Sequence, residues 1–323
     1  MNGIIKRYSK LAILFTVTAA ALIIVHFILK AVSYPYSSVS LLFVGGIVAV
    51  AAVICWILFG LEMKKIKDRQ RVERQWEEEF AEWLKHFEPL TKIGAELVRT
   101  ESDGEKFSKF GGLPVVTSDF KWPTDNGKPI PFLLQLDFSE INPTGNLINF
   151  PTSGLMYVFV YEFVNEEYEI EHIKKVLFFD NAEVLFRADK PKNLPTTFNE
   201  IYVAPKFIKT YPDVFDCDEA FEMYCARPQG GMDDDYDALC NGKTECHLVG
   251  GWPSHLQNGG FMKECREDEG DNWVLLLQIK SEYVKDGEDN FMWGDNGVIY
   301  IYIREKDLIA RNFDNIKLEM QCY

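Results

Sequence analysis

Phe110-Gly-Gly-Leu-Pro114, Phe132-Leu-Leu-Gln-Leu136 and Gly154-Leu-Met-Tyr-Val-Phe-Val-Tyr161 follow one another in the first part of the chain. Val249-Gly-Gly-Trp-Pro253, Val274-Leu-Leu-Leu-Gln-Ile279 and Gly297-Val-Ile-Tyr-Ile-Tyr-Ile-Arg304 repeat that order in the last part. Gln135 stands 19 residues before Gly154, and Gln278 stands 19 before Gly297. A Phe-Asp-Asn triplet follows in each case, at residues 179–181 and 313–315. Two copies at an offset of about 140 are too few and too long for a solenoid array. The pattern therefore reads as a duplication, two similar halves about a pseudo-twofold axis.

The matched segments are strand-like. Tyr157, Phe159 and Tyr161 alternate with Met156, Val158 and Val160, and Tyr300 and Tyr302 with Ile299, Ile301 and Ile303. β-branched and aromatic residues with no helical period indicate strands apolar on both faces, hence covered on both. The Gly-Gly-x-Pro elements are loops, whose glycines (Gly111, Gly112, Gly250, Gly251) permit backbone that other residues rarely adopt. Gln135 and Gln278 each sit in an apolar strand. A buried amide must hydrogen-bond, so each pins a neighbouring loop or lines a cleft shared by the halves.

Outward from the repeat, the N-terminal part is different. Leu11 to Leu29 and Val39 to Leu61 are apolar runs without Asp, Glu, Lys or Arg. At about 1.5 Å per residue each is long enough for a hydrocarbon layer of about 30 Å, which predicts two membrane spans. Lys6, Arg7 and Lys10 precede the first, and Lys64, Lys65, Lys67, Arg69, Arg71 and Arg74 follow the second. The positive-inside rule then places both termini in the cytoplasm, in a multi-pass protein of the inner membrane with the bilayer as its first partner. From Glu62 to about Arg99 the chain reads as helix, broken at Pro89, with Trp76, Phe80, Trp83, Leu84 and Phe87 at helical spacing.

Charge divides at the same place. The chain holds 34 Lys+Arg and 49 Asp+Glu; residues 1–74 contain 10 and 3, leaving 24 against 46 and a net of −22 for residues 75–323. So acidic a body argues against nucleic acid as a partner, because phosphate contacts need a basic face. It suits a basic protein partner. Seven cysteines, five of them clustered at Cys217, Cys225, Cys240, Cys246 and Cys265 but without a CxxC pair, give neither a disulfide framework nor a structural zinc pattern. No cofactor and no metal is expected.

Five segments together resemble the YwqG-like family of bacterial proteins: Ser108-Lys-Phe-Gly-Gly-Leu-Pro114 with Trp122-Pro123, Phe132-Leu-Leu-Gln-Leu-Asp137, His247-Leu-Val-Gly-Gly-Trp-Pro253 with Gln257, Leu275-Leu-Leu-Gln-Ile279, and Trp293-Gly-Asp-Asn-Gly297. The likeness runs over roughly residues 105–321. It implies one α+β domain of two related halves, unknown function, no catalytic residue to carry over, and, for some members, toxin-immunity neighbourhoods.

No Gly-x-Gly-x-x-Gly, P-loop lysine, His-Glu-x-x-His or Gly-x-Ser-x-Gly is present, so dinucleotide, nucleotide, zincin and α/β-hydrolase chemistry lack their usual support. Asp233, Asp235 and Asp237 alternate as in a calcium loop, but Ala238 and Thr244 occupy the positions of its glycine and glutamate. Cys246-His247 is an adjacent pair with nucleophile chemistry, and Asp295 precedes a strand near Trp293. The catalytic candidates are therefore His247, Asp295 and Cys246. The expected ligand cleft lies between the halves, lined by Gln135, Gln278, Gly111, Gly112, Gly250, Gly251, Trp252 and Trp293.

The expected fold class is α+β: a transmembrane hairpin (1–62), a helical linker (63–104) and a cytoplasmic-facing domain (105–323). Its halves span about 105–182 and 245–323 around an acidic, Cys-containing segment, 183–244. The expected function is a membrane-anchored binding module, immunity-like in the sense the resemblance implies, with a hydrolase working from the inter-half cleft as the alternative.

Overall fold

A computed structural model describes residues 23–24, 26–28, 37–101, 107–164, 170–180, 185–226, 233–242, 244, 246–257, 259–283 and 289–323. They fall into two compact units, Met1–Glu82 and Trp83–Tyr323.

Most of the first unit that is described belongs to one 48-residue helix, α1 (Ser37–Leu84). Its charged part carries pairs at helical spacing, such as Lys65 with Glu62 (3.2 Å) and Gln75 with Glu79 (3.0 Å). The two-span reading is overturned: among the described residues no helix is long and apolar enough to cross a membrane. The run from Leu11 to Leu29 lies outside the described residues except at 23–24 and 26–28. The charged residues Glu62, Lys64 and Lys65 follow the run from Val39 to Leu61 within the same unbroken helix. The transmembrane hairpin, the bilayer as a partner, and the multi-pass inner-membrane location with both termini cytoplasmic all fall with that finding.

The second unit is mostly β rather than α+β, built on a curled half-barrel sheet of ten strands. In chain order these are β1 (Lys92–Arg99), β2 (Lys109–Phe110), β3 (Phe132–Asp137), β4 (Leu155–Val164), β5 (Ile170–Phe179), β6 (Ile201–Thr210), β7 (Leu248–Gly250), β8 (Trp273–Lys280), β9 (Val298–Arg304) and β10 (Ile316–Gln321). Across the sheet they run β5-β4-β3-β2-β6-β1-β7-β8-β9-β10, every pair antiparallel. The order is palindromic. β1 and β6 pair over eight residues at the centre, and four strands of each half fan out on either side. The central strands also cross over: β1, which leads into the first half, pairs with β7 of the second, and β6, which leads into the second, pairs with β2 of the first. Each half depends on the other for its first ladder.

β1 is a strand where the sequence reads as helix. Lys92-Ile-Gly-Ala-Glu-Leu-Val-Arg99 is rich in helix formers, but pairing on both edges supplies backbone hydrogen bonds that an isolated helical turn could not match. The bulges are duplicated too, between Phe132 and Leu134 in β3 and between Leu275 and Leu277 in β8.

One face of the sheet carries a continuous core from both halves, including Leu134, Leu136, Met156 and Val158 of the first and Leu277, Ile279, Ile299 and Ile301 of the second. The curl brings the two flanks together, so that Phe178 of β5 meets Phe313, which precedes β10, at 5.4 Å. Side chains therefore fill the space between the halves. On the opposite face the first half is covered by an aromatic layer around Phe120, Trp122, Tyr157 and Phe159. The same face of the second half bears Tyr300 and Tyr302, against which His255 (5.6 Å) and Phe261 (5.3 Å) pack.

Candidate functional site

Strand alternation decides where the two glutamines point. Leu134 and Leu136 flank Gln135 and belong to the inter-half core, as do Leu277 and Ile279 around Gln278. Both amides consequently face the outer layers. Gln135 Oε1 accepts the Val115 N–H (2.8 Å) and Tyr157 donates its hydroxyl to the Val115 carbonyl (2.8 Å). In the second half Gln278 Oε1 accepts the Ser254 N–H (2.9 Å) and Tyr300 donates to the Ser254 carbonyl (2.8 Å). Each pair is directly opposed in its ladder, Gln135 with Tyr157 and Gln278 with Tyr300. A Gln–Tyr clamp thus closes on both backbone groups of the residue after each Gly-Gly-x-Pro.

The glycines have no substitute. Gly111, Gly112, Gly250 and Gly251 have φ of +59°, +68°, +62° and +77°. A Cβ on Gly111 would lie 2.2 Å from the Asn199 carbonyl oxygen, and one on Gly251 2.8 Å from Thr210 Oγ1 and 3.1 Å from Gly94 Cα. Gln135 and Gln278 stand five strand spacings apart, about 24 Å along the sheet at roughly 4.8 Å each. They and the two glycine pairs form two separate loop clamps rather than one cleft.

The catalytic candidates are dispersed. His247 is buried against Phe110 (4.4 Å between rings) and its Nε2 bonds Glu282 (2.7 Å). Arg99 also donates to Glu282, and Lys280 lies 3.5 Å from it. Burial pushes the His247 imidazole down. Burial alone would raise the Glu282 carboxyl, but the His247 hydrogen bond and the charges of Lys280 and Arg99 bring it to about 2. The two side chains thus hold each other in the interior. Asp295 is exposed at a turn, where its carbonyl accepts the Tyr323 N–H (3.3 Å). Cys246 is buried and its carbonyl accepts from Gln278 Nε2 (3.1 Å). Trp293 packs on Phe291 (5.6 Å) with its indole N–H unpartnered among the described residues.

A second buried pair had no signal in the sequence. His255 Nε2 bonds Asp216 Oδ1 at 2.9 Å, and both side chains are sealed from solvent. Asp216 Oδ2 accepts the Asp213 N–H (2.8 Å), and Arg266 donates to the Asp216 carbonyl. Burial disfavours the charged imidazole, but Asp216 outweighs it and raises the His255 pKa. The thiol of Cys240, bonded to the Pro212 carbonyl (3.1 Å), is pushed up by burial. Among the described residues no three His, Cys, Asp or Glu side chains converge to hold a metal ion. Asp233 and Asp237 lie on a helix, α3 (Asp233–Asn241), not a loop.

The insert that carries Asp216 also presents a surface. On and beside α2 (Asp218–Cys225), Phe215 and Phe221 are each 49 % exposed. Asp218, Glu219 and Glu222 are exposed around them. Behind the helix, Trp83 donates its indole N–H to the Met223 carbonyl (3.2 Å) and packs with Phe87 on Tyr236.

The chain matches a family described as a domain of unknown function (DUF1963) over residues 108–322, and it belongs to that family. No curated protein matches it.

Proposed function

We propose that this domain, which we read as YwqG-like, is a binding module that takes a basic protein as partner, in an immunity-like masking role. The observation behind the reading is the pair of half-exposed phenylalanines, Phe215 and Phe221, among the exposed carboxylates of α2. Exposed aromatic anchors with a charged rim are the anatomy of a recognition surface; Asp218 there pairs with Lys263 (2.6 Å), Glu219 and Glu222 face outward, and a net of −22 over residues 75–323 would steer a basic partner towards them. An enzyme working from a cleft between the halves finds less support. That space is filled by the core, and the imidazole of His247 is buried and bonded to Glu282.

The test is affinity capture with the tagged full chain from extracts of its source cells. One protein of high isoelectric point should be retained in stoichiometric amount and released by about 0.5 M salt, where screening is strong. A Phe221→Ser, Glu219→Lys, Glu222→Lys variant should lose about tenfold or more in affinity. Retention of no stoichiometric partner, or of one held equally by the variant, overturns the reading.

A further inference from the structure

A cavity of about 300 Å³ opens where the start of β1 meets the loop at residues 148–150 and α4 (Glu305–Ile309). That is near the lower end of small-molecule sites, roughly 300–1,000 Å³, and ample for one side chain. Phe150, Val274 and Leu308 give it apolar walls. Ile93 and Ile148, which also line it, are 41 % and 79 % exposed, so the apolar lining continues onto the open surface.

One carboxylate borders this apolar space. Glu305 is half-buried and clamped on both oxygens, Oε1 by Asn149 Nδ2 (2.8 Å) and Oε2 by Asn272 Nδ2 (2.9 Å). The two amides fix its orientation, but they leave each oxygen a lone pair and supply no counter-charge. Its neighbours are paired. Asp271 has Lys306 (2.8 Å) and Arg304 (3.4 Å), Asp307 has Arg304 (2.7 Å), and Glu269 has Lys317 (2.8 Å). Among the described residues no cation lies within ion-pair distance of Glu305. Lys92 borders the cavity too, but its ammonium rests 3.5 Å from the centroid of the Trp252 ring, which does not line it, and Asp216 precedes Glu305 as its charge partner.

A fixed carboxylate without a counter-ion, beside apolar walls, is the complement of a cation carried on a hydrocarbon stem. A lysine side chain has that form: four methylenes that pack on apolar surface and a compact ammonium at the end. The exposed Ile148 and Ile93 offer more apolar surface than a free amine would cover, which favours a lysine presented by another protein. We propose that the cavity is a docking site for a lysine side chain of a protein partner. Its ammonium meets Glu305, its methylenes lie against Phe150 and Leu308, and the residues flanking it cover Ile148 and Ile93. The site is separate from the Phe215–Phe221 surface and its test uses a peptide alone, so its failure is distinguishable from failure of the partner capture.

The experiment is calorimetric titration of the full chain with N-acetyl-leucyl-lysyl-leucinamide. The controls are the analogue with norleucine in place of lysine (no ammonium), the analogue with Nζ-acetyl-lysine (no charge) and n-butylamine (the side chain without flanking residues). The lysyl peptide should saturate one site, and each control should bind about tenfold or more weakly, the loss of one charged hydrogen bond or of the apolar cover. Glu305→Gln should weaken the lysyl peptide about tenfold and Ile148→Ser about threefold, and thermal melts establish that both variants are folded. No saturable binding at about 5 mM peptide overturns the proposal. So does any of the three controls binding as tightly as the lysyl peptide, or a folded Glu305→Gln that binds it unchanged.

Discussion

The two halves of the β domain share a skeleton and differ in what they hang on it. Both have a Gly-Gly-x-Pro loop, a Gln–Tyr clamp on the next residue, a bulge before the glutamine, and a glycine carbonyl (Gly154, Gly297) that accepts a backbone N–H at 2.9 Å. Around that frame the chemistry diverges. The first half buries Lys109, whose Nζ donates to the Leu113 carbonyl (2.8 Å) and to Glu200, with Arg187 on the same carboxylate (3.0 Å). The second half has Leu248 at the matching place and His247 where the first has Ser108. It also carries the acidic insert with its His255–Asp216 pair. The two halves share a geometry that each needs for folding, while their loops and the insert carry different charges.

The largest expected effect falls on what is not shared. Asp216→Ala removes one member of a sealed charged pair and should cost about 3–5 kcal/mol in urea unfolding; a loss below 1 kcal/mol would remove the second half's distinction. Glycine replacements come next and probe the shared loops. Gly111→Ala should cost about 3 kcal/mol and Gly251→Ala about 2, because the first would set its Cβ 2.2 Å from a backbone oxygen and the second 2.8 Å from Thr210 Oγ1. The clamps should differ less. Gln278→Leu should cost about 2 kcal/mol and Gln135→Leu about 1, since Gln278 bonds at both ends of its amide whereas Gln135 Nε2 has no partner among the described residues. Equal losses would mean that the Gln278–Cys246 bond contributes nothing.

A pH dependence should be the smallest effect and should belong to the second half alone. The folded state raises the His255 pKa above its ordinary 6.5, so folding favours the protonated ring. Its stabilisation is complete below about pH 6.5 and is lost as pH rises through the raised value. Unfolding free energy followed across that range should fall in the wild type, and Asp216→Asn should flatten the slope. An unchanged slope in the variant would assign the pH dependence elsewhere.

The repeat was legible because its signals are local: glycines at positive φ, proline two residues on, and a glutamine in an apolar strand at fixed spacing from the next turn. The central strands were not legible. β1 reads as helix by composition, and β6 lies in the acidic segment between the halves, because both become strands only through partners that are remote in sequence. The membrane reading rested on apolar runs taken by themselves, and it is overturned because among the described residues no helix is long and apolar enough to cross a membrane. Of the candidate residues, Gln135, Gln278 and the four glycines were visible as loop-holding groups. His255 and Asp216 lie 39 residues apart with no pattern to join them.

The sequence by itself determined that the domain is duplicated, that its strands are covered on both faces and that its net charge is acidic, since these follow from local pattern and composition. Only the tertiary structure decided that the space between the halves is packed core, that the glutamines face outward, and that Lys92 rests on Trp252 while Asn149 and Asn272 hold Glu305. Those facts depend on the crossed pairing of β1 and β6 and on the curl of the sheet, which bring together groups that no local rule connects.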